Sequence, residues 1–284
     1  MREIKYHNGE TIKVDGIHFY GCSFVAGQEL MDKEIPDPMG LDLHKMAKQI
    51  DEPLEEFYRR KLSRELLFKK KIKLEKQLAW PQHFCEALKV RCYNHGSHGS
   101  SMTEIKGTLL QHIVEELHNP KQEAIFVGIT GFAREMVFAS DEHIYKTGLP
   151  RSLVVAHDFE RRGDLDFARK YLVLKDEYTH LWQFLHEIYN IINICKENDL
   201  KLYILPMLDP FDIDWYEKQY KIDFEIPHWT EQIKYLESKI DKYIIEGGKI
   251  DPLGGNIIEK LPRGHPCAKS HAVYGAKYGK KLLT

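Results

Sequence analysis

Four short strand-like runs, three of them apolar, each ending at a turn and followed by a stretch of helical character, constrain this 284-residue chain more than any other feature. Ile17-His18-Phe19-Tyr20 stops at Gly21-Cys22-Ser23, with Gly27 close behind. Lys89-Val90-Arg91-Cys92-Tyr93 stops at the polar, glycine-rich segment Asn94 to Ser101. Ala124-Ile125-Phe126-Val127-Gly128-Ile129 is the plainest buried strand, and Leu202-Tyr203-Ile204-Leu205-Pro206-Met207 supplies another. Apolar runs of this length bounded by turn residues read as buried strands. Helical segments separate or follow them: one through Ile105, Leu109, Leu110, Ile113, Val114 and Leu117, one from about Leu165 to Glu197, one around Trp229 to Ile245, and one from about Ala268 to Leu283. Strands alternating with helices imply parallel pairing and right-handed crossovers. The expected fold class is α/β: a three-layer α/β/α sandwich around a doubly wound, mostly parallel sheet.

Two segments complete the layout. Residues 28–78 open with Pro36, Pro38 and Gly40 and continue in helix formers with long charged side chains. They read as a helical insertion after the first strand, inside a single domain spanning 1–284. Leu153-Val154-Val155-Ala156 reads as a short peripheral strand.

Charge excludes some functions. Lys and Arg number 41 against 43 Asp and Glu, a formal net charge of −2, so neither nucleic acid nor an anionic membrane is the expected partner. The one dense basic cluster, Lys69-Lys70-Lys71, reads as a solvated helix face. No segment carries the roughly 20 apolar residues of a membrane span, and Met1-Arg2-Glu3-Ile4-Lys5 has no signal-peptide character. Cys22, Cys85, Cys92, Cys195 and Cys267 are odd in number and lack CxxC spacing. That pattern points to a reduced, cytoplasmic setting.

In doubly wound sheets, ligands bind beyond the carboxyl ends of the strands. The loops opening at Gly21, Asn94 and Gly128 are therefore expected along one edge. They hold what acyl transfer needs: Ser23 as a nucleophile after the first strand, Gly99 where a backbone N–H can approach an oxyanion, and Thr130 after the third strand. His265, in Gly264-His265-Pro266, precedes the last helix and could serve as base. His271 competes for that role, with a structural part the stronger expectation. Asn94, His98 and Arg134 are candidate substrate contacts. Cys22 is an alternative nucleophile, although small buried cysteines are usually inert packing. His95, His98 and His265 lack ligand spacing and a clustered carboxylate, so no metal and no cofactor is expected.

These segments resemble the signature blocks of the SGNH/GDSL hydrolases, in order and across nearly the whole chain. Phe19 to Gly27 resembles the first block, with Cys22 where the usual acid stands. Asn94 to Ser101 resembles the second and places Gly99 at the oxyanion-hole glycine. Val127-Gly128-Ile129-Thr130-Gly131 resembles the third, in which the family has asparagine at the place of Thr130. Gly264-His265-Pro266 resembles the last, whose histidine precedes a proline. The layout is closest to virus-associated members, through Gly21-Cys22-Ser23, Ala79-Trp80-Pro81 and the serine-rich second block. The resemblance implies a flavodoxin-like SGNH hydrolase fold and a serine esterase acting on a small-molecule or glycan ester. Ser23 would be the nucleophile, His265 the base, and Ser23, Gly99 and Thr130 the oxyanion donors. It also implies an acid two or three residues before the histidine, where this chain has Arg263 and Pro262. Asp251 or Glu259 could substitute from nearby, or a backbone carbonyl could orient a Ser23–His265 dyad. The alternative is a catalytically inactive SGNH-like module that binds a glycan or a protein partner.

Overall fold

The computed structural model describes residues 1–7, 9–28, 30–31, 66–67, 69–97, 99–132, 177–220, 227–255, 257–261 and 265–283. Most of the expected insertion, 32–65 and 68, and the expected peripheral strand at 153–156 lie outside these residues.

Six strands are present among the described residues: β1 (Arg2–Lys5), β2 (Thr11–Val14), β3 (Gly16–Tyr20), β4 (Arg91–Asn94), β5 (Glu123–Ile129) and β6 (Lys201–Pro206). The last four form one parallel sheet in the order β4-β3-β5-β6. Besides the helical stretch 69–78, the described helices are, in chain order, α1 (Ser23–Ala26), α2 (Trp80–Leu88), α3 (Met102–Val114), α4 (Glu177–Glu197), α5 (Ile213–Tyr220), α6 (Pro227–Ile240) and α7 (Ala268–Lys281).

Strand parity divides the interior into two layers, because successive side chains point to opposite faces. Tyr20 of β3, Ile125, Val127 and Ile129 of β5, and Leu202 and Ile204 of β6 pack with apolar residues of α3, α4 and α6. Ile17, Phe19, Ala124, Phe126, Tyr203 and Leu205 pack on the other side, against α2 and α7. The fold is thus an α/β/α arrangement around a doubly wound parallel sheet.

A hairpin, β1 with β2, was not among the expected strands. It turns at Gly9, whose φ of +81° lies in the left-handed region that glycine occupies without strain. Its inner residues Ile4 and Val14 join the α2–α7 layer, and the Lys5 N–H donates to the Leu282 carbonyl at 3.0 Å.

Three expectations need correction. Lys71 is not on a solvated face: residues 69–78 are helical, and Lys71 is buried with its Nζ 3.9 Å from Glu75, while Lys69 and Lys70 are exposed. The helix after β4 ends at Val114, and Leu110, Val114 and Leu117 are exposed, so its apolar face is narrower than the spacing suggested. The helix around Trp229 ends at Ile240 and tightens into a 3₁₀ turn, Asp241–Tyr243.

Helices α2 and α7 cross closely. A side chain at Gly275 would place its Cβ 2.3 Å from the Trp80 carbonyl oxygen, and one at Gly279 would stand 2.7 Å from that of Phe84. The first N–H groups of a helix have no acceptor inside it. At the start of α2, the Trp80 N–H finds one in Nδ1 of the fully buried His271, at 3.0 Å. Burial, with His265 and His83 nearby, pushes the His271 imidazole from 6.5 down to about 3. The folded chain therefore keeps this ring neutral where the unfolded chain would take up a proton. Stability from this site is complete above pH 6.5 and is lost as pH falls from there towards about 3. Replacing His271→Asn keeps an acceptor for Trp80 and removes the titration. Melting temperature followed from pH 7.5 to 4 should fall less steeply in the variant; an unchanged slope would rule this out.

Candidate active site

The chain runs from β3 outward to β4 on one side and then back across to β5 on the other. The carboxyl ends of β3 and β5 therefore flank a topological switch point, where adjacent loops part and leave a crevice. Gly21-Cys22-Ser23 leaves one of these ends and Thr130 follows the other.

Small residues shape this place. A Cβ at Gly21 would lie 2.3 Å from Val25 Cγ2 and 3.1 Å from the Gly128 carbonyl, and one at Gly128 would lie 2.5 Å from the same methyl. The two glycines let α1 lie across the ends of β3 and β5. The helix closes at Gly27, with φ +77°.

The loop after β4 is fastened to the same turn. Its Ser97 N–H donates to the Gly21 carbonyl at 2.9 Å, and a Cβ at Gly96 would meet the Ala26 nitrogen at 2.6 Å. Asn94 holds the loop with both ends of its amide. Nδ2 donates to the Val25 carbonyl at 2.8 Å, and Oδ1 accepts from the Gly96 N–H at 2.9 Å. Expected as a substrate contact, this side chain is occupied as a fastener. Gly99 follows with φ +74°.

Ser23 and Thr130 are 1% and 3% exposed. The hydroxyl oxygens of both are buried, and neither has a hydrogen-bond partner among the described residues. An unpaired buried hydroxyl costs roughly 1–3 kcal/mol. Both residues follow the strand ends that flank the switch point.

His265 is half-buried, and its ring centroid lies 5.4 Å from that of Phe24, the residue after Ser23. A short antiparallel ladder presents it: Leu261 N–H donates to the His265 carbonyl at 2.8 Å, and Cys267 N–H donates to the Glu259 carbonyl at 3.1 Å. Of the two candidate acids, Glu259 has an exposed side chain. The Asp251 carboxylate accepts from the Tyr278 hydroxyl at 2.7 Å and forms an ion pair with Lys277, both on α7. His98, Arg134 and the stretch Pro262 to Gly264 lie outside the described residues.

Distant neighbours exist among solved structures. A lipolytic protein of the G-D-S-L family from Desulfitobacterium hafniense DCB-2 matches at 10% identity and TM-score 0.43, over 94% of this chain and 99% of that one. A carbohydrate esterase, whose active site is described as displaying divergent catalytic and non-catalytic binding functions, matches at 12% identity and TM-score 0.43. That match covers 94% of this chain and 68% of the other. A member of the lipolytic G-D-S-L family from Veillonella parvula DSM 2008 matches at 12% and 0.34, over 92% and 96%. No protein-family model matches the chain, and no curated protein does.

A second group of polar residues, of which the sequence singled out only His95, lies elsewhere on the sheet. On the α3 side of the sheet, His18 Nδ1 lies 2.9 Å from His95 Nε2, and the Tyr20 hydroxyl lies 2.8 Å from both His112 Nδ1 and His118 Nε2. Tyr93 stacks on His18 at 4.4 Å, and Glu123 Oε2 stands 3.2 Å from His18 Nε2. Burial, reinforced by the neighbouring imidazoles, lowers His18 and His118 to about 4 and His95 to about 3. The signal was strand parity: His18 and Tyr20 sit two apart on β3 and so share a face, yet they read as members of an apolar run.

Proposed function

We propose that this chain is a serine ester hydrolase of the SGNH kind, nearest in layout to that superfamily's virus-associated members, and that it works through an acyl-Ser23 intermediate on a small-molecule or glycan ester. The observation that carries the reading is the pair of buried hydroxyls at the switch point, Ser23 Oγ and Thr130 Oγ1, without partners among the described residues, with His265 packed against the residue next to Ser23. In the reaction, Ser23 Oγ attacks the ester carbonyl while His265 takes its proton. His265 returns that proton to the departing alkoxide, and water then cleaves the acyl-serine by the same route in reverse. Backbone N–H groups of Ser23 and Gly99, with the Thr130 hydroxyl, would hold the oxyanion. Asn94 acts at one remove, by fixing the Gly99 loop to α1.

A second reading is a catalytically silent module that binds a glycan or a protein partner. It is favoured by the engagement of Asp251 with Tyr278 and Lys277, and by Arg263 and Pro262 standing where the family resemblance places an acid. A fluorophosphonate probe separates the two. The wild-type chain should be labelled at Ser23, and labelling should vanish in Ser23→Ala and in His265→Ala. A folded wild-type chain that takes no label would favour the silent module.

A further inference from the structure

We propose that His18, His118 and Glu123 form a binding site for a divalent first-row transition-metal ion, Zn²⁺ foremost, separate from the Ser23 site. One potential ligand atom from each of the three residues lies within 4.8 Å of the others. The site uses the interior of β3, the amino-terminal end of β5 and the turn after α3, whereas Ser23 and Thr130 follow the carboxyl ends of β3 and β5.

Hydrogen-bond accounting points to a cation. His18 is 4% exposed, and its Nε2 faces Glu123 without hydrogen-bond geometry. Nδ1 of His118 is likewise buried and has no partner among the described residues. The Tyr20 hydroxyl has one proton and two imidazole nitrogens to satisfy, so it donates to one ring and accepts from the other. If it accepts from His118 Nε2–H, then His118 Nδ1 is a bare lone pair. If it donates to His118 instead, Nδ1 carries a proton that meets no acceptor among the described residues. Either tautomer leaves a buried atom unpaired. The first, with His18 Nδ1–H donating to His95, leaves lone pairs on His18 Nε2 and His118 Nδ1 in a group that also holds the Glu123 carboxylate. A bound cation pairs all three groups.

The donor set selects the ion. Two imidazoles and one carboxylate suit Zn²⁺ and its first-row neighbours and leave a fourth position open. Mg²⁺ and Ca²⁺ prefer all-oxygen surroundings. Each ligand is also held from behind, as metal-binding histidines usually are. His95 backs His18, Tyr20 backs His118, and the Asn119 N–H donates to Glu123 Oε2 at 2.7 Å.

The test uses untagged full-length chain stripped with a chelator, titrated with Zn²⁺ by calorimetry and with Co²⁺ in the visible range. One equivalent should bind at micromolar or tighter affinity, giving a Co²⁺ d–d band that Zn²⁺ abolishes. Glu123→Gln, which keeps the side-chain volume, and His118→Ala should each weaken binding by more than about 100-fold. Tyr20→Phe should weaken it by the roughly 10–100-fold expected of a residue behind a ligand. Ser23→Ala should bind as the wild type does. Absence of binding by the folded wild type, or unchanged binding in Glu123→Gln, would overturn the proposal; should His118→Ala fail to fold, Glu123→Gln decides alone.

Discussion

Ser23→Ala should lose ester hydrolysis by roughly 10⁴- to 10⁶-fold while unfolding at a temperature no lower than the wild type. Both halves follow from the same atom. A serine nucleophile has no substitute in its site, and removing one from a comparable constellation costs on this order in kcat. The hydroxyl that is removed is buried and has no partner among the described residues, so its loss relieves a desolvation penalty of roughly 1–3 kcal/mol. Thr130→Val should behave similarly in stability, with the smaller activity loss of one oxyanion donor, about 2.7–4 kcal/mol in the transition state. A serine present only to cap or brace α1 would give the opposite pattern, with lower stability. Thermal melts and initial rates on short-chain acyl esters, measured on the same preparations, distinguish the two.

Trp80→Ala should cost about 3–5 kcal/mol of stability, within the range for deleting a large buried aromatic side chain. Trp80 is 1% exposed and meets Phe19 of β3 edge-to-face at 5.2 Å, Phe84 of α2 at 5.9 Å and Tyr274 of α7 at 5.7 Å. Its loss opens a hole where sheet, α2 and α7 meet. Trp80→Phe should cost much less. It keeps most of the ring contact and removes an indole N–H that is itself buried without a partner among the described residues. Denaturant unfolding of both variants checks the order; equal losses would mean that the indole edge, and not filled volume, holds this corner.

Most of the sheet was legible because β3, β5 and β6 are short, largely apolar runs bounded by turn residues, whose length and flanks mark them as strands. Glu123–Ile129 and Lys201–Pro206 fall within a residue of the expected positions. The hairpin escaped for a different reason. Ile4, Ile12 and Val14 are too few to make a run, yet they alternate with charged residues around Asn8-Gly9, a strong hairpin signal. Lys71 was misplaced because a row of three lysines says nothing about which of them turns inward, which tertiary contact alone decides. At the candidate site, sequence order suggested Ser23, Thr130 and His265, but it could not show the hydroxyls unpaired or Asn94 spent on the backbone. The histidine group was hidden by distance: His18 and His118 are 100 positions apart, and only the parallel pairing of β3 with β5 sets Glu123 beside them.

The closing of α7 over α2 has a consequence during synthesis. The six described strands leave the ribosome before residues 268–281 do, so Phe19, Phe126, Tyr203 and Trp80 must wait without the cover of α7. At roughly 5–20 residues per second, that interval lasts seconds after β6 has emerged. A nascent chain in that state presents a broad greasy surface to its surroundings, which makes it a client for chaperones that bind such surfaces until the final helix arrives to displace them.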